Sequence, residues 1–354
     1  HNLVPYAEWM NGSVLLLHRS DYGCCNTLLA EQVGMLGRYT EAFFPELVYV
    51  RPQGQIEKRD SLEGSAFIDF PVDQTMIYPD YRRNTAELGK IQSSIDSVRN
   101  DTDITITSVW LKGYASPEGS YAHNKELAIG RTAALKRYIQ QLYRFEGDVI
   151  TTDYEPEDWA GLRYYVERSN LAHRAEIVTL IDGNLEPDAK EWKIKRDYPM
   201  EYSFLLQNCY PALRHTDYRI AYTIRSYSDV EEIKRIMCER PQKLDLNEFY
   251  LAAQEYEPGT DEFTEVFETA VRMFPDDTIA NLNAANAAMR RGDLTSAKRY
   301  LAKADDSPEA VYARGALAIR QKDYDSARRY LNEAKSLGLE QAGITLEQLE
   351  KGRR

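Results

Sequence analysis

Gly113-Tyr114-Ala115-Ser116-Pro117-Glu118-Gly119-Ser120-Tyr121-Ala122-His123-Asn124, continuing to Leu127 and Arg131, is the stretch on which the reading of this chain turns. It follows a strand-like run, Asp103 to Leu111, and leads into a helix-like run, Lys125 to Tyr143. A strand that delivers a small-residue turn to a helix start builds a ligand site. Free backbone N–H groups and the helix dipole both favour an anion there.

This stretch resembles the signature of OmpA-like peptidoglycan-binding domains. The signature sets a Gly and an aromatic or His before a Thr-Asp pair, then Gly, Asn, Leu and Arg at fixed spacing. Gly113, Tyr114, Gly119, Asn124, Leu127 and Arg131 fall on matching positions. The resemblance implies a site for the diaminopimelate residue of cell-wall peptide, gripped by an Asp and an Arg. The Arg corresponds to Arg131; the Asp corresponds to Ser116, so half of the charged clamp differs.

The surrounding pattern has the matching order. Ala66, Ile68, Phe70 and Val72 alternate with Phe67, Asp69, Pro71 and Asp73, as in a half-buried strand that Pro71 ends or places at an edge. Pro79-Asp80 opens a helix with Leu88, Ile91, Ile95 and Val98 at spacings of three and four. After the helix ending at Tyr143 come short strands at Val149 to Asp153 and Tyr218 to Ile224. This β-α-β-α-β…β order predicts an α+β domain over residues 61–228, a mixed sheet with helices on one face and right-handed crossovers. A long insertion, about 154–216, has its own helical patterns around Trp159 to Arg168, Ala172 to Ile181 and Met200 to Leu213. A typical OmpA-like domain has a much shorter connection there, and the insertion is placed to cover or reshape the ligand groove.

Residues 1–60 read as a small strand-rich lead-in packed on that domain. Ser13 to His18 and Glu46 to Arg51 carry strand patterns, while Asn26 to Thr40 has mixed, helix-like apolar spacing. From residue 229 to 354 helical patterns dominate, with an internal repeat. Gly292-Asp293-Leu294, Ala297, Tyr300-Leu301 and Ala304 recur as Lys322-Asp323-Tyr324, Ala327, Tyr330-Leu331 and Ala334, a period of 30 residues. Phe263, Val266, Ala270 and Met273 match Leu294, Ala297, Leu301 and Ala304 at an offset of 31 residues, and Pro275 and Pro308 are read as ending second helices. This is similar to the tetratricopeptide repeat, whose unit is about 34 residues. It predicts about three helix pairs with a C-terminal cap, each burying its face against a neighbour. The resemblance implies a protein partner for the repeats.

Composition bounds the rest. The 354 residues leave room for two or three domains. A net charge of −12 argues against nucleic acid, because neutralising phosphates requires clustered Lys and Arg. No run approaches the roughly 18 apolar residues that span a bilayer. The chain starts at His1, which leaves open a removed signal peptide or lipid anchor. Cys24, Cys25, Cys209 and Cys238 lack the spacing of a zinc site. They read as buried thiols or, in an oxidising compartment, as a disulfide from Cys24 or Cys25 to Cys209. The 25 tyrosines read as half-buried strand and helix faces, not as a site.

Two readings of the loop stand side by side. Ser116-Pro117-Glu118 has the residues of a helix start: an N-cap, a first-turn proline and a carboxylate on the dipole. Alternatively, Glu118 takes the place of the missing Asp and faces Arg131, the two holding the ends of a zwitterion. Tyr114, Ser116, Glu118, Asn124 and Arg131 are therefore the candidate ligand-binding residues, with Asn124 expected to brace the loop. The five histidines are scattered, and no P-loop or dinucleotide fingerprint occurs. Glu155, Glu157 and Asp158 read as a solvated helix start. No catalytic, metal or cofactor residues are assigned, and the chain is expected not to be an enzyme. The combination resembles Bacteroides-type cell-envelope proteins, some of which accompany fimbrial components. It implies a periplasmic or outer-membrane-associated protein that binds peptidoglycan, or an envelope assembly adaptor that has lost wall binding and acts through protein contacts.

Overall fold

The computed structural model describes residues 10, 13–38, 43–55, 57–71, 74–145 and 147–351. The described residues form a mixed α/β structure of fourteen α-helices and two small sheets. They divide into two compact units: Gln55–Ser226, and a second that joins the chain up to Gly54 to Tyr227–Arg354.

The second unit opens with a hairpin of β1 (Val14–Tyr22) and β2 (Leu28–Arg38), antiparallel and paired to each other. The helix-like reading of Asn26 to Thr40 is thus corrected over Leu28–Arg38, its last two residues lying outside the described ones. Leu29, Val33, Met35 and Leu36 are all exposed, so β2 buries neither face and shows no clean alternation.

In Gln55–Ser226 the sheet order is β3-β6-β4-β5, from β3 (Lys58–Ala66), β4 (Ile104–Tyr114), β5 (Ile150–Glu155) and β6 (Thr216–Ile224). β6 runs antiparallel to both β3 and β4, whereas β4 and β5 are parallel. Helices α1 (Asn84–Arg99) and α2 (Tyr121–Tyr143) make the two crossovers. Leu88, Ile91 and Ile95 of α1 and Leu135 and Ile139 of α2 meet Val109, Leu111, Ile150 and Ile220, a core on one sheet face. The opposite face carries half-exposed Trp110 and Lys112, as the two-residue period of a strand requires.

The first strand is not where its alternation pointed. Residues 67–71 are outside the sheet, and Val72 and Asp73 lie outside the described residues. Side chains at the start of α1 take the backbone groups that a strand would have paired. Glu87 accepts from Phe67 N–H at 3.0 Å, and Asn84 both accepts from Asp69 N–H and donates to Asp69 C=O, at 2.7 and 2.8 Å. The true strand, β3, is a polar edge strand, a composition that protects an open edge but hides it from pattern reading.

At Gly113 strand β4 and helix α2 approach too closely for a side chain between them. A Cβ there would sit 1.9 Å from Thr132 Oγ1 and 3.2 Å from the Ala128 carbonyl. Thr132 Oγ1 is fixed by donating to that carbonyl at 2.7 Å. The insertion is a helical layer of α3 (Trp159–Glu167), α4 (Arg174–Asp182), α5 (Pro187–Asp197) and α6 (Pro199–Asn208). It has its own core of Leu162, Val166, Ile177, Ile194, Leu205 and Tyr210. Helix α5 carries no readable apolar stripe, since of its residues only Ile194 is buried. Cys209 is a free, buried thiol, so the disulfide expected from Cys24 or Cys25 to Cys209 is corrected; Cys24 and Cys238 are free and exposed, which corrects the buried-thiol reading for them, and burial pushes the Cys209 thiol up.

The helical unit continues with α7 (Val230–Glu239), α8 (Leu246–Ala253), α9 (Asp261–Met273), α10 (Thr278–Arg291), α11 (Leu294–Leu301), α12 (Pro308–Arg320), α13 (Tyr324–Ser336) and α14 (Glu340–Lys351). Pro308 opens α12 behind the cap Ser307; it does not end the helix before it. The repeat is visible in the caps. Asp293 and Asp323 accept from the backbone of Ser296 and Ser326, and the residues before them, Gly292 and Lys322, both have positive φ, 91° and 62°. Ala285, Ala288, Ala313 and Ala316 are buried where α10 and α12 pack.

Glu46–Arg51 was expected in a strand of the lead-in. The segment Phe43–Gly54 forms no strand and crosses the helices of its own unit. Tyr312 Oη of α12 donates to Glu46 C=O at 2.6 Å. Asn286 of α10 donates to Val48 C=O at 2.7 Å. Asn283 accepts from Val50 N–H at 2.9 Å and donates to Val50 C=O at 2.7 Å. Arg51 donates to Asn247 of α8 at 2.9 Å.

Two substitutions test these constraints by urea unfolding. Gly113→Ala is expected to cost about 1–3 kcal/mol through overpacking, and Thr132→Ala in the same chain to recover part of it. Lys322→Gly should stabilise by about 0.5–1 kcal/mol, because the left-handed backbone that Lys322 strains is free to glycine.

Candidate functional site

The loop Ala115–Ser120 leaves the end of β4 and is stapled on both sides. Ala115 N–H donates to Glu155 C=O at 3.3 Å, and Ala115 C=O accepts from Asp158 N–H at 3.0 Å. Gly119 turns the chain with φ 99°. The helix then starts at Tyr121, capped by Ser120, whose hydroxyl accepts from His123 N–H. The helix-start reading of Ser116-Pro117-Glu118 is corrected by one turn: those residues form the loop wall.

Ser116, Glu118, Asn124 and Arg131 line one cavity of about 410 Å³, together with Phe70, Tyr81, Arg82, His123, Leu127 and Arg214. Tyr114 is not among the lining residues. It lies on the same sheet face as Lys112, one residue out of phase with Gly113. Its ring stacks on His215 at 4.3 Å, and burial and the neighbouring Asp217 push its hydroxyl well above the usual range.

The proposed opposition of Glu118 and Arg131 is not what the structure contains. Glu118 is ion-paired with Arg214, whose Nε also donates to Ser116 Oγ at 3.0 Å. Arg131 lies over the Phe70 ring at 5.0 Å and its Nε points at the Gln74 carbonyl at 3.4 Å. Arg214 sits between the last turn of the insertion and β6, some 100 residues from the loop. It carried no local signal, because its role exists only once the insertion has folded back.

The helix N-terminus is also occupied. Tyr121 N–H donates to Asp188 Oδ1 at 2.7 Å, and Asn124 N–H to Ser120 C=O at 2.9 Å. Asp188 opens α5, so the anion expected at this helix start is a carboxylate of the insertion itself.

Glu157 and Asp158 are buried at 3% and 7% exposure, which corrects the solvated reading of the acidic cluster. Asp158 caps α3 by accepting from Gly161 N–H. Glu157 accepts from Asn124 Nδ2 at 2.8 Å and from Trp159 Nε1 at 2.9 Å. Asn124 therefore braces the loop through a side chain of the insertion. Burial raises the Glu157 carboxyl above its ordinary value, while the two donors pull it back down.

Three guanidinium groups and one carboxylate line the cavity, and that carboxylate is already paired. Arg214 pairs with that carboxylate, Arg82 lies 3.6 Å from Asp69 and Arg131 donates to the Gln74 carbonyl, and guanidinium forks match carboxylate geometry. Ser116 Oγ is bound by Arg214, a cation that cannot accept its proton, so this hydroxyl is not prepared as a nucleophile. Among the described residues no group of three or more His, Cys, Asp or Glu could hold a metal ion. None of the described helices is long and apolar enough to cross a membrane.

Asn124→Ala should show how the loop is held. With one donor gone the Glu157 carboxyl rises further, so its charged form destabilises the fold more. A carboxyl raised on folding favours the folded state most below its ordinary value and loses stability as pH climbs to the raised value. The loss on Asn124→Ala is therefore expected to be larger at pH 8 than at pH 4, reaching about 1–3 kcal/mol for an unpartnered buried acceptor. Equal losses at both pH values would detach Asn124 from Glu157.

Compared with known proteins, the chain matches no family profile and no curated protein sequence.

Proposed function

We propose that this chain is a non-enzymatic cell-envelope protein whose α/β unit associates with peptidoglycan and whose helical hairpins bind a protein partner. The observation that carries the first half is the convergence of Ser116, Glu118, Asn124 and Arg131 on one cavity of about 410 Å³ at the β4–α2 loop. Of these, Ser116 and Arg131 are the positions where the OmpA-like resemblance puts the wall ligand. The strand and helix order and the mixed sheet with helices packed on one face support the same reading. On this reading Arg131 takes a carboxylate of the diaminopimelate peptide, with the exposed guanidinium of Arg82 beside it. Periplasmic or outer-membrane association follows from the ligand.

One observation favours a second reading, an assembly adaptor that has lost wall binding and works through protein contacts, as a fimbria-associated component would. Arg214 holds both Ser116 and Glu118, so no free carboxylate among these residues remains to grip the ammonium end of the amino acid.

Sedimentation with purified diaminopimelate-containing peptidoglycan separates the two. On the first reading the protein co-sediments, and Arg131→Ala weakens binding at least about tenfold with stability changed by no more than about 0.5 kcal/mol. If the folded protein stays in the supernatant, the adaptor reading takes its place. If Arg131→Ala lowers the melting temperature sharply, Arg131 is a structural residue.

A further inference from the structure

The segment Phe43–Gly54 is bound by the helical hairpins in the way a receptor holds a peptide. Asn283 and Asn286 are one helical turn apart on α10 and read alternate residues, Val50 and Val48. In an extended chain the carbonyls of residues two apart point the same way, so this spacing fits an extended backbone and no helical one. The segment runs against the order of the hairpins. Glu46 meets α12 and α14, Val48 and Val50 meet α10, and Arg51 and Gly54 meet Asn247 of α8. Its side chains enter separate places. Leu47 is buried with Leu282 and Ala313, Tyr49 stacks on Phe267 at 5.5 Å, and Phe44 lies under Arg320 at 4.8 Å.

Two features mark it as a ligand and not as a layer of the array. Most of each hairpin-to-hairpin core comes from residues of α10 to α14; the segment adds Leu47 as a buried member and Phe43, Phe44, Val48, Tyr49 and Val50 only at the margin, partly buried. Moreover, the bonds to its backbone come from side chains 233 to 266 residues away, and no strand pairs with it.

We propose that the groove across α8, α10, α12 and α14 is a receptor for an extended apolar peptide of a partner protein, and that Phe43–Gly54 is its built-in competitor. This rests on the reading of the helical hairpins as a protein-binding array, and it names the partner's chemistry. The peptide carries an aromatic side chain at the Phe44 and Tyr49 positions and an aliphatic one at the Leu47 position. It has no proline at the Val50 position, where Asn283 takes the N–H. Because the inner segment is tethered, a partner peptide must overcome an effective concentration on the order of millimolar. The groove therefore answers only a partner that binds more tightly or is itself presented locally.

The test uses the full chain and a fluorescent synthetic peptide of residues 43–54. Leu47→Asp with Tyr49→Ala in the chain removes the inner segment's anchors and opens the groove. The opened chain is expected to bind the peptide at least about 100-fold more tightly than the unaltered chain does. A peptide with Val50→Pro, or an opened chain with Asn283→Ala, should lose at least about tenfold of that affinity. If opening also loosens the helices, the added peptide should restore their melting temperature. An opened, folded chain that ignores the peptide overturns the inference, as does a melted one that the peptide does not restore. If a protein from envelope extracts still co-purifies with the full chain after such a failure, and is lost when α10 to α14 are deleted, the partner-binding reading stands and only the groove assignment falls.

Discussion

The α/β unit depends on the close approach of Gly113 on β4 to Thr132 on α2. Without a side chain at 113, α2 lies directly on β4, and the Ala128 carbonyl and Thr132 hydroxyl occupy the space a Cβ would fill. This contact sets where α2 begins and so how the loop Ala115–Ser120 must turn. The loop's direction places Ser116 and Glu118 over the first turns of α2, next to Asn124 and Arg131. The parity of the strand does the rest. With Gly113 facing the helix, Tyr114 faces the other way, and it is lost to the cavity for the same reason that Gly113 is needed.

The insertion changes the chemistry of that loop more than its shape. Its residues supply Asp188 to the start of α2, Glu157 to Asn124 and Arg214 to Ser116 and Glu118. Each satisfies a group that would otherwise be open to a ligand. A buried carboxylate such as Glu157 is tolerable only because two donors meet it. Arg131 and Arg82 lie on aromatic faces at the cavity, Arg131 also donating to the Gln74 carbonyl and Arg82 sitting 3.6 Å from Asp69.

In the helical unit an analogous rule holds. Groups available for recognition on α10 and α12 are spent on the chain's own residues 46–50. Asn283 and Asn286 are almost wholly buried, and their amides meet backbone instead of a side chain. Side-chain amides can satisfy an extended backbone without a neighbouring strand. That is how Phe43–Gly54 stays ordered outside any sheet.

Local chemistry made much of this legible in the sequence. The α2 stretch, the sheet strands after residue 100 and the recurring Asp caps at 293 and 323 are each written in spacings of two, three or four residues, which neighbouring backbone and side chains enforce. Helix α5, with one buried residue, and β2, with apolar groups exposed on both faces, carry no such period and could not be read. Residues 66–71 and 46–51 do carry the alternation of an extended chain, yet beyond Ala66 they belong to no strand. Whether an extended chain pairs with a strand or with the side chains of a helix is decided by what it meets, through Asn84 and Glu87 in one case and Asn283 and Asn286 in the other. The site divides in the same way. Sequence spacing brought Ser116, Glu118, Asn124 and Arg131 together because they lie within a few turns of one helix start. Arg214 and Asp188, which set their charge balance, arrive through contacts 98 and 67 residues long, and only the folded insertion brings them there.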